Sequence, residues 1–520
     1  MTLRSWLPEP EDRLFAGVFA ALLLLAAALA LVYDFAPLLD WPEHCSDAAV
    51  TAHFHDPRWA VARYYDHPVW FVPYHVFRWI QAGLGAVFGW AGLRAALLIQ
   101  LWGIPLLAYL FCRQNGHDRF SALAAFTVTV EANLLWGFLP YVTGIVFMLG
   151  GIALFNGWLI DRKDWRLVAL ALLSIVVFFS HAVPELLLCT VCGSLALVAF
   201  ARRRLRLVEL FAVAGALLPG FALLVTFLSG PSWAGDPAAL STPVPILSFA
   251  ELKSVLSQAG PLSGLTLMGN GPLWWFGLAL LGLAAGAVWE LRQRRRAPLA
   301  GKPPRSIGWT LFAILALLTI TLPAWWKGES LGGRIFSLAA FGFLLAIPFR
   351  GTATSARWPV RATMILAAFG SLITAHVSFY RYNRDNQPLR RIIATLPTGA
   401  TVAYLPYGYG PEGYALPLYI HLGGYIHAQR GGYASFSFGH VPYKKELEQF
   451  GLSKWIWAIA NDYVLPNSLT AFYDYVVVRK GPKYRGNPFA PLPKGKKPPL
   501  RVLAEGDYEL WETLNEVPRK

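Results

Sequence analysis

Apolar residues along this 520-residue chain gather into long runs, not into the short alternating or helically spaced patterns of a water-soluble core. An α-helix needs about 20 such residues to cross the roughly 30 Å hydrocarbon layer of a bilayer. By that measure the pattern predicts eleven spans. They are Leu14 to Val32, Leu93 to Cys112, Phe120 to Gly137, Tyr141 to Ile160, Leu167 to Ser180, Val183 to Phe200, Leu210 to Leu228, Leu273 to Trp289, Trp309 to Trp325, Ile335 to Phe349 and Ala362 to Phe379. A further stretch, Phe71 to Trp90, is apolar but broken by Pro73, His75, Arg78 and three glycines, and it reads as lying in the interface. The first run reads as a span and not as a secretory signal, because no small-residue cleavage site follows it.

A long polar loop separates the first two runs, and after Phe379 the runs stop. The tail carries β-rich stretches at Thr401 to Leu405, Tyr433 to Phe438, Tyr473 to Arg479 and Arg501 to Glu512, with a helical pattern around Lys444 to Ile459. The expected fold class is an α-helical polytopic membrane protein of about eleven spans with a small C-terminal α/β extracytoplasmic domain. The expected division is residues 1–380 for the transmembrane part, including a first outer loop over 34–92, and 381–520 for the outer domain.

Charge orients the chain. With Phe71 to Trp90 in the interface, 20 Lys and Arg residues fall on the side of the N-terminus against 6 in the opposite loops. Positive loops stay inside. The N-terminus is therefore expected in the cytoplasm and the first loop and tail outside, with the protein in a bacterial inner membrane. Composition agrees, since hydrophobic residues are 56% and charged residues 14% of the chain, against about 25% charged in soluble proteins. The net charge of +15 sits in short clusters between runs and in the tail, which is membrane topology and not a nucleic-acid stripe, so no nucleic-acid partner is expected. Four cysteines, with no second CxxC to join Cys189 and Cys192, indicate neither a disulfide framework nor a zinc site.

Candidate chemistry concentrates on the outer side. All histidines but His117 fall there or near outer span ends, and five (His44, His53, His55, His67, His75) lie in the first loop. That loop opens with Leu38-Leu39-Asp40-Trp41-Pro42-Glu43-His44-Cys45-Ser46-Asp47. One reading is a helix start, with Asp40 as N-cap and Glu43 completing a capping box. The other adds that Asp40, Glu43, His44 and Asp47 share one helical face as an acidic cluster. His53, His55 and Asp56 have metal-ligand types, but alternating positions on a helix point in different directions. Two further polar intrusions fall at outer span ends: Glu131 with Asn133, and His181 with Glu185. Ionisable groups at membrane depth cost a few kcal/mol each and commonly mark a substrate path. Glu329 and Arg334 lie in another outer loop, where a guanidinium is suited to grip a phosphate with two donors.

The long first loop with an Asp-containing opening, the many spans and the outer C-terminal domain resemble the GT-C class of membrane glycosyltransferases. More closely, Pro37-Leu38-Leu39-Asp40-Trp41-Pro42-Glu43-His44, Trp136-Gly137-Phe138-Leu139-Pro140-Tyr141 and Phe179-Ser180-His181 are similar to a group of bacterial polytopic proteins, mostly of unassigned function, with a proline-aspartate-aromatic-proline-x-His loop motif. The GT-C resemblance implies transfer of a sugar from a polyprenyl-phosphate-linked donor to a glycan, lipid or protein acceptor, with inversion. It implies Asp40 as base or acceptor-positioning group and Arg334 as phosphate clamp. The paired-acid form of the first-loop motif is absent, and Glu43 stands in its place. Asp40, Glu43 and His44 are the catalytic candidates, and Glu131, His181, Glu185, Glu329 and Arg334 the substrate-binding ones, with a divalent cation (Mg or Mn) left open as cofactor. A transporter or lipid flippase, or a non-catalytic membrane assembly partner, is the alternative. A transporter would show mid-bilayer polar groups in an inverted repeat, and no repeat is evident.

Overall fold

The computed structural model describes residues 10–66, 72–229, 271–296, 312–317, 354–408, 416–435, 470–482, 484–491 and 497–513, with scattered positions at 335–350, 410–411, 444–447 and 464–466. Glu329, Arg334 and nearly all of the expected helix at Lys444 to Ile459 lie outside the described residues. Contacts divide the chain into two compact units, Met1–Leu29 with Leu97–Val377, and Ala30–Ala96 with Ser378–Lys520. The first loop thus groups with the C-terminal segment.

The first unit is helical. It contains most of α1 (Pro10–Leu31), then α4 (Leu98–Asn115), α5 (Ala132–Trp136), α6 (Leu139–Asp161), α7 (Trp165–Ser180), α8 (Ala182–Ala201), α9 (Leu207–Ser229), α10 (Gly271–Arg296) and the first half of α11 (Thr354–Thr395). Among the described residues α1, α6, α8, α9, α10 and α11 are long and apolar enough to cross a membrane, which makes this a multi-pass membrane protein. Small residues let the helices approach. A Cβ on Gly103 of α4 would sit 2.4 Å from Val146 Cγ1 of α6, and one on Gly144 of α6 would sit 2.8 Å from Pro184 Cγ of α8.

Three expected spans differ. The one expected at Leu93 to Cys112 begins only at Leu98, with α4. Phe120 to Gly137 is not one α-helix but a buried 3-10 helix, Arg119–Val128, followed by the five-residue α5. Its polar residues explain the break. Thr127 and Thr129 hydroxyls donate back to Ala124 and Ala125 carbonyls, and Glu131 caps the next helix. The span expected at Leu167 to Ser180 is the 16-residue α7, only about 24 Å long at 1.5 Å per residue.

The second unit comprises α2 (Trp41–His53), a short 3-10 turn at Val61–Arg63, α3 (His75–Ala95), the second half of α11, α12 (Gly423–Arg430) and one sheet. Helix α11 runs 42 residues without a break, well past the span end expected at Phe379. The sheet holds β1 (Thr401–Pro406), β2 (Tyr433–Ala434), β3 (Tyr475–Arg479), β4 (Leu500–Glu505) and β5 (Tyr508–Glu512) in the order β2-β1-β3-β5-β4. The first three strands are parallel and the last two antiparallel. Strand β1 is buried throughout, as a central parallel strand should be. The expected strand Arg501 to Glu512 is a hairpin turning at Gly506, whose φ of 55° suits a two-residue turn.

Candidate functional site

The first ten residues of α2 are buried, although they include Glu43, His44, Ser46 and Asp47. Three elements of the second unit cover them: α3, α12 and the segment leading into α12. Helix α12 approaches through a glycine, because a Cβ on Gly424 would lie 2.3 Å from the Pro42 carbonyl oxygen. Ser46 Oγ and His427 Nδ1 lock the crossing at 2.6 Å. The other ring nitrogen of His427 stands 3.1 Å from the Gly432 carbonyl, which only accepts, so Nε2 carries the proton and Nδ1 accepts from Ser46. Burial drives this imidazole down to about 4, the bond to Gly432 opposing.

Asp40 occupies the N-cap position but makes no side-chain capping bond. The capping box expected from the sequence is therefore not formed. Proline in the first turn supplies the helix start instead, since its missing N–H is one donor the cap need not satisfy. The Asp40 carboxylate meets His421, whose Nε2 is 3.5 Å from Asp40 Oδ1. The other nitrogen of the same ring, Nδ1, is 3.7 Å from Glu43 Oε1. One histidine from the C-terminal segment thus stands between two first-loop carboxylates.

Those carboxylates differ. The Asp40 side chain keeps 18% exposure and that of Glu43 only 2%. Burial holds the Glu43 carboxyl well above the usual carboxylate range, and Asp47 one turn on pushes it the same way. Glu43 Oε2 has no hydrogen-bond partner among the described residues. Burial also holds the His421 imidazole below its ordinary value against the pull of Asp40. Asp47 faces the buried guanidinium of Arg78, which donates from Nη2 to His75 Nδ1 at 2.7 Å. Burial and the like charge of Asp47 together make Glu43 the acid that keeps its proton. His44 turns its ring edge-on to Phe77 of α3 at 5.9 Å. Sequence reasoning passed over His421, Arg78 and His427 as site residues. The signal for His421 and His427 was slight: histidines on either side of Gly423-Gly424.

Farther along, Asp34 accepts from Arg94 at 3.1 Å and from Arg390 of α11 at 2.9 Å. No group of three or more His, Cys, Asp or Glu among the described residues is placed to hold a metal ion. His53 stacks on Trp59 at 3.8 Å and Asp56 pairs with Arg58 at 2.8 Å, so these metal-type residues serve packing and a turn.

In the first unit Glu131 is the N-cap of α5. Its Oε2 accepts from Asn133 N and Nδ2, both at 2.9 Å, and its Oε1 from Leu134 N at 3.1 Å. His181 caps α8 likewise, Nδ1 accepting from Val183 N at 3.1 Å. Tyr141 connects the two places. Its ring meets His181 edge-on at 5.3 Å, and it lines with Glu131 and Asn133 a small pocket of about 30 Å³ that is otherwise apolar. Glu185 is buried, with Cys189 Sγ donating to Oε1 at 3.3 Å and Gly220 of α9 against the carboxylate.

This architecture, a bundle of membrane helices with a long folded first loop and an α/β tail, is the GT-C fold of membrane glycosyltransferases. The chain shares it with ArnT from Cupriavidus metallidurans in two crystal structures. Against ArnT bound to undecaprenyl phosphate the TM-score is 0.51 at 15% identity, over 96% of this chain and 98% of that one. Against the apo state it is 0.52 at 14% identity, over 97% and 98%. No family model matches the chain, and no curated protein sequence matches it.

Proposed function

We propose that this protein is an inverting membrane glycosyltransferase that moves a sugar from a polyprenyl-phosphate-linked donor to an acceptor outside the cytoplasm. Supporting this is the fold shared with ArnT, for which a structure bound to undecaprenyl phosphate exists. The observation that carries the reading is Asp40: a partly exposed carboxylate, released from helix capping and set beside a buried histidine, at the head of the first loop.

In this reading Asp40 is the general base. The acceptor hydroxyl oxygen attacks the anomeric carbon, its proton passes to Asp40, and the bond from that carbon to the phosphate oxygen breaks with the electron pair leaving on phosphate. The leaving phosphate needs cationic help, and Arg334, whose role rests on the sequence alone, is the candidate clamp, with Glu329 five residues before it in the sequence. Glu43 and His44 are shielded from substrate and support Asp40. Glu131 and Tyr141 line one small, mostly apolar pocket, with His181 fixing Tyr141 and Glu185 holding α8. The first loop and tail face outward, as the Lys and Arg distribution requires.

The test is transfer from a radiolabelled polyprenyl-phosphate sugar in proteoliposomes. Asp40→Asn at matched expression is expected to lose about 10²- to 10⁴-fold of the rate, the usual size of a general-base contribution. Equal rates would reject Asp40 as base, and absence of transfer by the wild-type protein from any lipid-linked donor would favour a transporter or assembly partner.

A further inference from the structure

We infer that His421 is a positioning residue of the first-loop site, held by Glu43 as a neutral Nε2–H tautomer so that it presents a donor to Asp40. The inference rests on Asp40 being the base only for its effect on rate; the tautomer stands on the geometry.

Both ring nitrogens face carboxylates, Nε2 towards Asp40 at 3.5 Å and Nδ1 towards Glu43 at 3.7 Å. Both separations are longer than a hydrogen bond, roughly 2.7–3.2 Å, and the inferred state is the one in which both pairs close to that distance. A neutral imidazole has one donor and one acceptor, so its two neighbours must differ in protonation. An ionised Asp40 only accepts. Nε2 must then carry the proton, which leaves Nδ1 to accept, and its neighbour must donate. Glu43 donates only as the acid.

The surroundings favour that assignment. Asp40 retains access to solvent, where ionisation is cheap, and Glu43 does not. Asp47, one turn beyond Glu43, adds a like charge on that side, and Arg78 is engaged with Asp47 and His75. Among the described residues Glu43 meets His421 and forms no ion pair with a Lys or Arg. The two acids are thereby driven to opposite protonation states by burial and by the charge of Asp47, the arrangement that assigns different roles to neighbouring carboxylates. The histidine reads that difference and passes it on as an oriented N–H.

Two sequence features build the arrangement. Asp40 and Glu43 are three residues apart at a helix start, so both reach one side. His421 precedes the Gly423-Gly424 pair that lets α12 come into backbone contact with Pro42. The C-terminal segment therefore contributes a residue to the first-loop site, and an isolated first loop would hold Asp40 differently.

The test uses the full-length protein in lipid nanodiscs, ¹⁵N-labelled at histidine, with His421 assigned by the signal lost in His421→Phe. At neutral pH its signal is expected to be that of a neutral ring protonated on Nε2, and Glu43→Gln, which still donates through its amide, is expected to preserve it. A doubly protonated ring, or a neutral ring protonated on Nδ1, would overturn the inference. Kinetics add a readout that simple loss of packing would not give. His421→Gln, whose amide nitrogen can stand where Nε2 stood, is expected to keep most of kcat, whereas His421→Phe is expected to lower kcat by about 10²-fold with KM within about twofold. Equal loss in both variants, or loss confined to KM, would also overturn it. If the wild-type protein transfers no sugar, the proposed function fails while the tautomer remains decided by the nitrogen spectrum.

Discussion

Asp40 Oδ1 lies 3.5 Å from His421 Nε2 and makes no bond to the amides of the helix it begins. A residue in the position of an N-cap has been turned sideways, towards a segment from the far end of the chain. The carboxylate therefore contributes little to the helix, and what holds it in place is the packing of α12 and its leading segment on α2.

The two carboxylates singled out by sequence consequently differ in stability cost. Asp40→Asn is expected to leave stability within about 0.5 kcal/mol of wild type, since no cap is lost, and Asp40→Ala to cost about 1 kcal/mol through its contact with His421. Glu131→Ala removes three accepted bonds at the start of α5 and is expected to cost about 1–2 kcal/mol or more. Unfolding in mixed micelles followed by circular dichroism measures both. A larger loss for Asp40→Ala than for Glu131→Ala would contradict the bonding described.

Much of this was legible in the sequence, for physical reasons that also explain the rest. Long apolar runs have one cheap solution in lipid, so α1, α6, α8, α9, α10 and the inner half of α11 fall where the pattern put them. Strands β1 and β3 follow from β-branched and aromatic runs bounded by turn residues. The break at Thr129 to Glu131 was not legible, because hydropathy counts apolar residues and does not see threonine hydroxyls competing for helix carbonyls. The first-loop acids were visible as a cluster. Their partner was not, since nothing local to Tyr419-Ile420-His421 says that it packs on residues near position 40. The sequence offered Asp40 both a cap and a catalytic role, and offered Glu131 a substrate-binding role, from two carboxylates alike in chemistry. Tertiary contacts decide between such roles, and they gave the cap to Glu131.

Gly424 is where α12 touches α2, and the contact is with backbone: an added Cβ would sit 2.3 Å from Pro42 O. Backbone cannot rotate away as a side chain can. Gly424→Ala is therefore expected to destabilise the protein by about 1–3 kcal/mol, as overpacking typically does, although alanine is the better helix former. Gly83→Ala in α3, where nothing lies within 4 Å of the added Cβ, is the control and is expected to be neutral or slightly stabilising. Thermal unfolding of the two variants side by side checks this. Equal behaviour would show that the α2–α12 crossing is looser than described.

Stability should depend on pH through two buried groups of opposite sense. The unfolded Glu43 carboxyl loses its proton near pH 4.3, while the folded one keeps it to well above that range. Rising pH therefore ionises the unfolded chain first, and the stability conferred by the acid form is lost progressively as pH climbs towards the folded value. Glu43→Gln should flatten this limb. His427 works the other way: the unfolded imidazole binds a proton below about pH 6.5, the folded one only at about 4. Stability should fall as pH drops between those values, by up to about 3 kcal/mol, and His427→Gln should flatten that acid limb. Denaturant midpoints measured from pH 4 to 9 give both slopes. A profile unchanged by either substitution would mean that the groups titrate alike in the folded and unfolded chain.

Orientation makes the last prediction, and the surface of the protein supplies its probes. The excess of Lys and Arg in alternate loops leads us to expect the N-terminus in the cytoplasm and both the first loop and the tail outside. Arg58, with 82% of its side chain exposed, reports the first loop, and Arg501, with 54%, the tail. Lys163, with 61%, lies between α6 and α7 on the side expected to be cytoplasmic. None of the three is placed in the candidate site, so replacing each by cysteine leaves the chemistry alone. The native thiols are buried or partly so and should give little background. With a membrane-impermeant maleimide, Arg58→Cys and Arg501→Cys are expected to label in intact spheroplasts, and Lys163→Cys only after lysis. Labelling of Arg58→Cys and Lys163→Cys from the same side would remove the membrane between α1 and α7 that the span pattern requires. Protection of both Arg58→Cys and Arg501→Cys before lysis would instead invert the whole protein, and a donor on the cytoplasmic side would then have to be sought.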